Sequence, residues 1–256
     1  KGARPGTPSG GARPLAEGSK VGLRCGDFDG ESGFISLPAI TLSGSFTVSF
    51  WMQSVTNARS PLISTRSGGG FYEIELNGDG QSVATGRVAF TVGDGVSTRT
   101  AVSRRSNLND GQWHLIAALR TANQVVLLVD GDREATANTG TLGGAGNGVA
   151  YLAKYGDRNV FFDGRIDEVA IWSRALTLGE VGDLAAAGGR SKGSSEYVSD
   201  VLNAGGPSIW QTLFWVANSP YTNPISVNDD TLVAFWRMEE AAGSATLRVL
   251  TGAALA

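Results

Sequence analysis

The 256-residue chain holds one cysteine, Cys25, and one histidine, His114. A lone thiol forms no internal disulfide and no multi-thiolate metal centre, and a lone imidazole excludes mechanisms that need two. Charge is scarce as well: 18% of residues are charged, against about 25% in an ordinary soluble domain. They sum to −3, and neutralising phosphates takes a basic stripe, so nucleic acid is excluded as a partner. No run approaches about eighteen apolar residues, so no segment reads as a membrane span. Asn-x-Ser/Thr sequons are absent, which removes one sign of a glycosylated secretory history. The sequence opens on Lys1 rather than Met and shows no signal-peptide pattern, so trimming or excision from something longer is expected.

Glycine is plentiful, at 36 residues, and its placement is informative. Residues 1–20 are rich in Gly and Pro and lack periodicity, which reads as an arm or linker. Ordering such an arm costs about 1–2 kcal/mol per residue, so an ordered arm needs a holder, and a neighbouring subunit is the first candidate. From Phe34 to Trp172 short runs alternate with period two and are punctuated by Gly, Asn and Asp. In Ser45–Gln53, Phe46, Val48, Phe50 and Met52 share one face, opposite Thr47, Ser49, Trp51 and Gln53. Val125–Val129 is apolar on both faces, as a central strand should be. Strands at this spacing predict an all-β antiparallel sandwich or jelly roll.

One helix is predicted. Thr177 and Glu180 stand at capping-box spacing, with Leu178, Val181 and Leu184 on one stripe and Gly188 as the stop. The predicted organisation is an arm (1–20), a β-sandwich (21–188) and an aromatic-rich C-terminal segment (189–256).

Five segments carry a family resemblance: Gly26–Gly30 with Phe34–Pro38, Phe46–Trp51, Asp110–His114 with Val129–Gly131, Phe162–Trp172, and Arg174–Thr177. In this order the sequence resembles the laminin-G-like modules of the concanavalin A-like lectin/glucanase superfamily across about residues 20–188. The resemblance implies a jelly-roll sandwich that serves as a non-catalytic module for adhesion or glycan recognition. It would act extracellularly or at a particle surface, within a homo-oligomer or larger assembly. The competing reading is a structural subunit of a polymeric assembly, a virion or extracellular filament. The segment Leu232–Gly243 resembles the opening strand of the same family, displaced to the far end. It can close its own sandwich as a circular permutation, insert into a neighbour through Leu232, Phe235 and Trp236, or begin a further repeat.

The resemblance also implies a structural Ca²⁺ held by Asp29 and Asp167, with Asp27 as a substitute ligand if register slips. The alternative is that Asp29 stabilises its own turn while Asp167 faces solvent or pairs with an Arg. Glu73 and Glu75 share a strand face as glucanase acids do, but the third carboxylate of that pattern is absent, and two solvent-facing carboxylates are expected instead. No catalytic residue is assigned. Trp51 is the candidate for stacking a sugar ring, against packing in a core or interface.

Overall fold

The computed structural model describes residues 6–15, 18–22, 24–42, 44–66, 69–140, 142–143, 147–188 and 229–236. Two short strands, β1 (Thr7–Ser9) and β2 (Arg13–Leu15), precede β3 (Cys25–Asp29), β4 (Phe34–Thr41) and β5 (Phe46–Gln53). Next come β6 (Ser60–Ser64), β7 (Phe71–Leu76), β8 (Val88–Gly93) and β9 (Thr98–Val102). They are followed by β10 (His114–Arg120), β11 (Gln124–Val129), β12 (Asp132–Asn138), β13 (Asn147–Leu152) and β14 (Asp163–Trp172). The helix α1 (Leu178–Gly188) and the strand β15 (Leu232–Trp236) complete the described chain.

The strands form two antiparallel sheets. One has the order β1-β4-β13-β6-β7-β8-β9 and the other β12-β11-β10-β5-β14-β3-β2, with β15 added on β14. The predicted alternation holds: Phe46, Val48, Phe50 and Met52 of β5 face Tyr72, Ile74, Val88 and Phe90 across one core between the sheets. A second apolar layer lies on the outer face of the eight-stranded sheet, where Trp51, Leu115, Leu128, Ala170 and Trp172 pack against Val181 and Leu184 of α1. This layer is why β11 is apolar on both faces. The capping box forms, with the Glu180 amide donating to Thr177 Oγ1 at 3.2 Å and the Thr177 amide to Glu180 at 2.7 Å. Leu178, expected on the buried stripe, is 48% exposed, because it begins the first turn ahead of the contact with the sheet.

The described strands of both terminal segments pair within their own chain. β1 pairs with β4 of one sheet and β2 with β3 of the other, so a ten-residue stretch straps the two sheet edges together. The fit is close: a Cβ at Gly10 would overlap the Ser32 backbone carbonyl, and one at Gly11 the Asp29 carboxylate. The described part of the arm thus has a holder in the chain's own pair of sheet edges. β15 likewise pairs antiparallel with β14, with Ala170 opposite Phe235 and Ile171 opposite Ala234. Leu232 and Phe235 are buried in the second apolar layer, the arrangement in which the strand closes its own sandwich. Trp236 sits opposite Val169 in register. The remaining C-terminal aromatics, Trp210, Phe214, Trp215 and Tyr221, lie outside the described residues.

Candidate ligand-binding face

The outer face of the seven-stranded sheet is polar, and its register shows why. Ser36 pairs with Tyr151, Tyr151 with Ser64, Ser64 with Glu73, Glu73 with Thr91 and Thr91 with Thr100. Residues opposite one another point to the same side, so these side chains form one transverse row pointing away from the core. The next carboxylate on that side of β7 is Glu75, two residues on.

Glu73 and Glu75 are 1% and 2% exposed, not solvent-facing as their alternation suggested. Glu75 takes a bidentate pair of bonds from Arg59, at 2.9 and 3.0 Å, and the Tyr155 hydroxyl. Glu73 accepts from Ser64 Oγ at 2.8 Å and from the Arg66 guanidinium at 3.1 and 3.3 Å. Burial, and after it the charge of Glu75, pushes the Tyr155 phenol above its ordinary range, so it remains a donor. A buried carboxylate is tolerated only when paired and hydrogen-bonded, and these two are.

What covers them is a short hairpin, residues 153–162. The Ala153 amide donates to the Leu62 carbonyl at 3.0 Å and the Phe162 amide to the Ala153 carbonyl at 2.9 Å. Lys154 and Phe161 form a bridge between the two arms. The Gly156 amide reaches Ser64 Oγ at 3.3 Å, and the Tyr155–Glu75 bond anchors the hairpin to β7. On its outer side the hairpin meets two strand residues. The Phe34 ring lies 6.0 Å from Tyr151 and 6.2 Å from Phe161, centre to centre. The Lys154 ammonium stands 5.6 Å from the Phe34 ring centre and 5.1 Å from that of Tyr151. All three aromatic residues are partly exposed. Periodicity could not reveal this cluster, because Phe34 and Tyr151 meet only through the β4–β13 pairing.

The residues singled out in sequence lie elsewhere. Asp29 Oδ1 accepts the amides of Glu31, Ser32 and Gly33 at 2.7–3.0 Å, and its Oδ2 takes the Ser32 hydroxyl at 3.0 Å. These bonds, the backbone ones foremost, hold the Asp29 carboxyl well below the usual carboxylate range. Asp167 is fully buried and accepts the amides of Lys20, Val21 and Glu168 at 2.9–3.0 Å. Asp29 pairs with Asp163, four residues from Asp167 on β14, a separation of about 13 Å along a strand. One Ca²⁺ takes its oxygens at about 2.3–2.6 Å, so no ion bridges this pair, and the N–H groups around each carboxylate are donors where a cation needs acceptors. Asp27, the substitute, is engaged by Arg13 at 2.8 Å and Arg165 at 3.5 Å. Among the described residues no cluster of three or more His, Cys, Asp or Glu side chains is placed to hold a metal. Trp51, expected as an open stacking surface, is 6% exposed. It lies beneath Gly188, where a Cβ would strike its indole, with the Lys20 ammonium 4.4 Å from its ring centre.

His114 ties three loops together. Its Nδ1 lies 2.9 Å from Asp130 and its Nε2 3.2 Å from Asp110, while Arg105 donates to the same Asp130 oxygen at 2.7 Å. Burial lowers the histidine's pKa, but the bonds and charges of Asp130 and Asp110 outweigh it and leave His114 above the ordinary value. Asp130 is lowered, since the His114 bond and the Leu115 amide overcome its own desolvation. The histidine's share of stability is present below about pH 6.5, its unfolded value, and is lost as pH rises through the raised one. Asp130's share is present above about pH 4 and is lost on acidification. His114→Gln is therefore expected to cost about 1.5–3 kcal/mol at pH 5.5 and distinctly less at pH 9. Urea unfolding at the two pH values checks this, and an equal cost at both would remove the charged pair from the account.

The architecture and its family agree. The Laminin_G_3 family, of the concanavalin A-like lectin/glucanases superfamily, matches residues 29–182, and the chain belongs to it. No curated protein sequence matches the chain. Among solved structures, domain 4 of AbnA, a GH43 extracellular arabinanase from Geobacillus stearothermophilus in complex with arabinotriose, is 18% identical with a TM-score of 0.57. The match covers 69% of this chain and 82% of that one. The binding domain of Paraclostridial Mosquitocidal Protein 1 is 17% identical, with a TM-score of 0.57, over 70% of this chain and 46% of the other. A structure of botulinum neurotoxin type C, whose cell entry depends on interaction with two ganglioside molecules, is 11% identical. Its TM-score is 0.59, over 73% of this chain and 47% of that one. The match thus takes in under half of either toxin chain. Likeness at this identity shows a shared lectin-like fold. No helix among the described residues is long and apolar enough to cross a membrane.

Proposed function

We propose that the chain is a non-catalytic, extracellular or surface-borne module that binds saccharide on the outer face of its seven-stranded sheet. The observation that carries this reading is the cluster of partly exposed aromatic residues at Phe34, Tyr151 and Phe161 with Lys154 beside them. Aromatic faces offer flat apolar area to the C–H faces of pyranoses, and a neighbouring ammonium donates to hydroxyls. The arabinotriose-bound domain and the ganglioside-dependent toxin support it as proteins of the same fold with sugar-bearing ligands. Glu73 and Glu75 are a poor acid–nucleophile pair, because both are buried and their oxygens are taken up by Arg66, Ser64, Arg59 and Tyr155. The described strands of the arm and β15 pair within their own chain, which supports a self-contained module over a polymeric structural role.

A glycan array with the wild-type chain and a Phe34→Ala/Tyr151→Ala variant tests the site. Wild type is expected to bind at least one saccharide class, and the variant to bind it at least tenfold more weakly while keeping its β-type circular dichroism. An array with no wild-type binding, or a variant that binds as well as wild type, overturns the reading.

A further inference from the structure

We infer that the saccharide taken at this face is acidic, a carboxylated sugar whose carboxylate is held by Lys154 and Arg158. The inference rests on the saccharide reading above and adds the chemistry of the ligand. Lys154 Nζ makes one hydrogen bond, to the carbonyl of Tyr155 at 2.9 Å. An ammonium carries three N–H donors, and among the described residues no carboxylate lies within ion-pair distance of it; its other neighbours are the Phe34 and Tyr151 rings. Arg158 lies over Tyr155, its guanidinium carbon 3.7 Å from the ring centre. Its one ion pair is to the adjacent Asp157 at 3.4 Å, with both side chains more than a third exposed, a geometry worth little in water. Its place over the Tyr155 ring and a hydrogen bond to that side chain hold the guanidinium, and with five N–H donors it keeps others for a carboxylate.

The charge beneath the hairpin sharpens the argument. Glu73 and Glu75 are sealed under the surface, 1% and 2% exposed, by Arg66 and Arg59. Arg59 and Arg66 are thereby neutralised, and Arg158 is set against the adjacent Asp157, so the uncompensated charge of the patch is the Lys154 ammonium, on a chain whose net charge is −3. A neutral sugar leaves that ammonium without a counter-charge, whereas an acidic one supplies it. Ring and cation sit on one rigid hairpin pinned at Leu62, Ser64 and Glu75, so a sugar face and its carboxylate can be met together without reordering the site.

The test uses native gels cast with polygalacturonate, hyaluronate or polysialate, each beside its neutral methyl ester, and with heparin as a sulfated probe. The intact chain is expected to be retarded by at least one carboxylated polymer at least tenfold more strongly than by its ester, and less so as salt is raised. Lys154→Gln/Arg158→Gln should abolish that difference at an unchanged melting temperature, and Lys154→Arg should retain it. Equal or stronger retardation by the esters, or retardation by heparin alone, overturns the acidic-sugar inference and leaves the saccharide reading standing. Retardation by none of the probes, with an empty glycan array, overturns both.

Discussion

Truncation before Asp229 is expected to yield a chain that aggregates or unfolds far below the melting temperature of the full sequence. β15 covers the β14 edge over Val169–Trp172, and removing it exposes four residues of an unpaired strand, a template for aggregation. It also strips Leu232 and Phe235 from the layer that shields Trp172 and Ala170. Burying a side chain of that size is worth about 1.5–3 kcal/mol, so the two account for several of the roughly 5–15 kcal/mol that hold a domain folded. Phe235→Ala isolates the packing term and should cost about 3–5 kcal/mol. Arg174→Ala isolates the clasp: its guanidinium binds Glu180 at 2.6 and 2.9 Å, Asp229 at 3.0 Å and Thr231 Oγ1 at 2.9 Å. The helix N-terminus and the start of β15 are thus fastened through one side chain. Because Arg174 is about one-third exposed, solvent screening reduces its share to about 1 kcal/mol. Thermal unfolding with size-exclusion chromatography reads all three. A truncated monomer that melts with the full chain would return β15 to the role of a strand donated between subunits.

The sandwich was legible because its signals are local. The Asp130-Gly131 turn ends the Val125–Val129 run at its hairpin to β12, and Phe46 to Met52 occupy the core face they announce; Asp163-Gly164, a turn pair by composition, lies instead inside β14. The face that carries the proposed function was not legible, for a physical reason. Glu73 and Glu75 alternate like solvent-facing residues, and only the placement of Arg66, seven residues earlier, and Arg59, sixteen earlier, turns them into buried ion pairs. Trp51 misleads in the opposite sense: alternation put it on the far side of the core, correctly, but a second apolar layer under α1 covers that side. Period-two reasoning assigns a residue to a side and says nothing of what lies on top. Asp29 and Asp167 fail as a pair likewise, since two carboxylates near neighbouring strand ends share a site only if register brings them level, and β3–β14 register sets them four residues apart.

Asp167→Ala is the second change with a large expected effect, and it separates the two roles a buried carboxylate at this position can play. β14 breaks its pairing with β5 between Asp167 and Ala170, and Glu168 sits at a φ of 50°, so a bulge turns Asp167 toward residues 18–22, where the arm ends. There it accepts the Lys20 and Val21 amides on one oxygen and the Glu168 amide on the other. The same segment places the Lys20 ammonium over Trp51 and gives its Gly18 carbonyl to Trp113 Nε1 at 3.0 Å. Hydrogen bonds to a charged acceptor are worth about 1.5–3 kcal/mol each, and water recovers part of that at the half-exposed amides, so the loss should total about 3 kcal/mol. Asp167→Asn should lose nearly as much, because its amide group places N–H against N–H at one of the two ends. Amide exchange at Lys20 and Val21 should speed up together, and Trp51 fluorescence should shift as Lys20 leaves its face. A fold held this way is indifferent to chelators, so EDTA should leave the wild-type melting temperature unchanged, since only a ligand bound to the native state stabilises it. A wild-type chain destabilised by EDTA beside an Asp167→Ala chain that is not would make the carboxylate a metal ligand and undo its role as the anchor of residues 18–22.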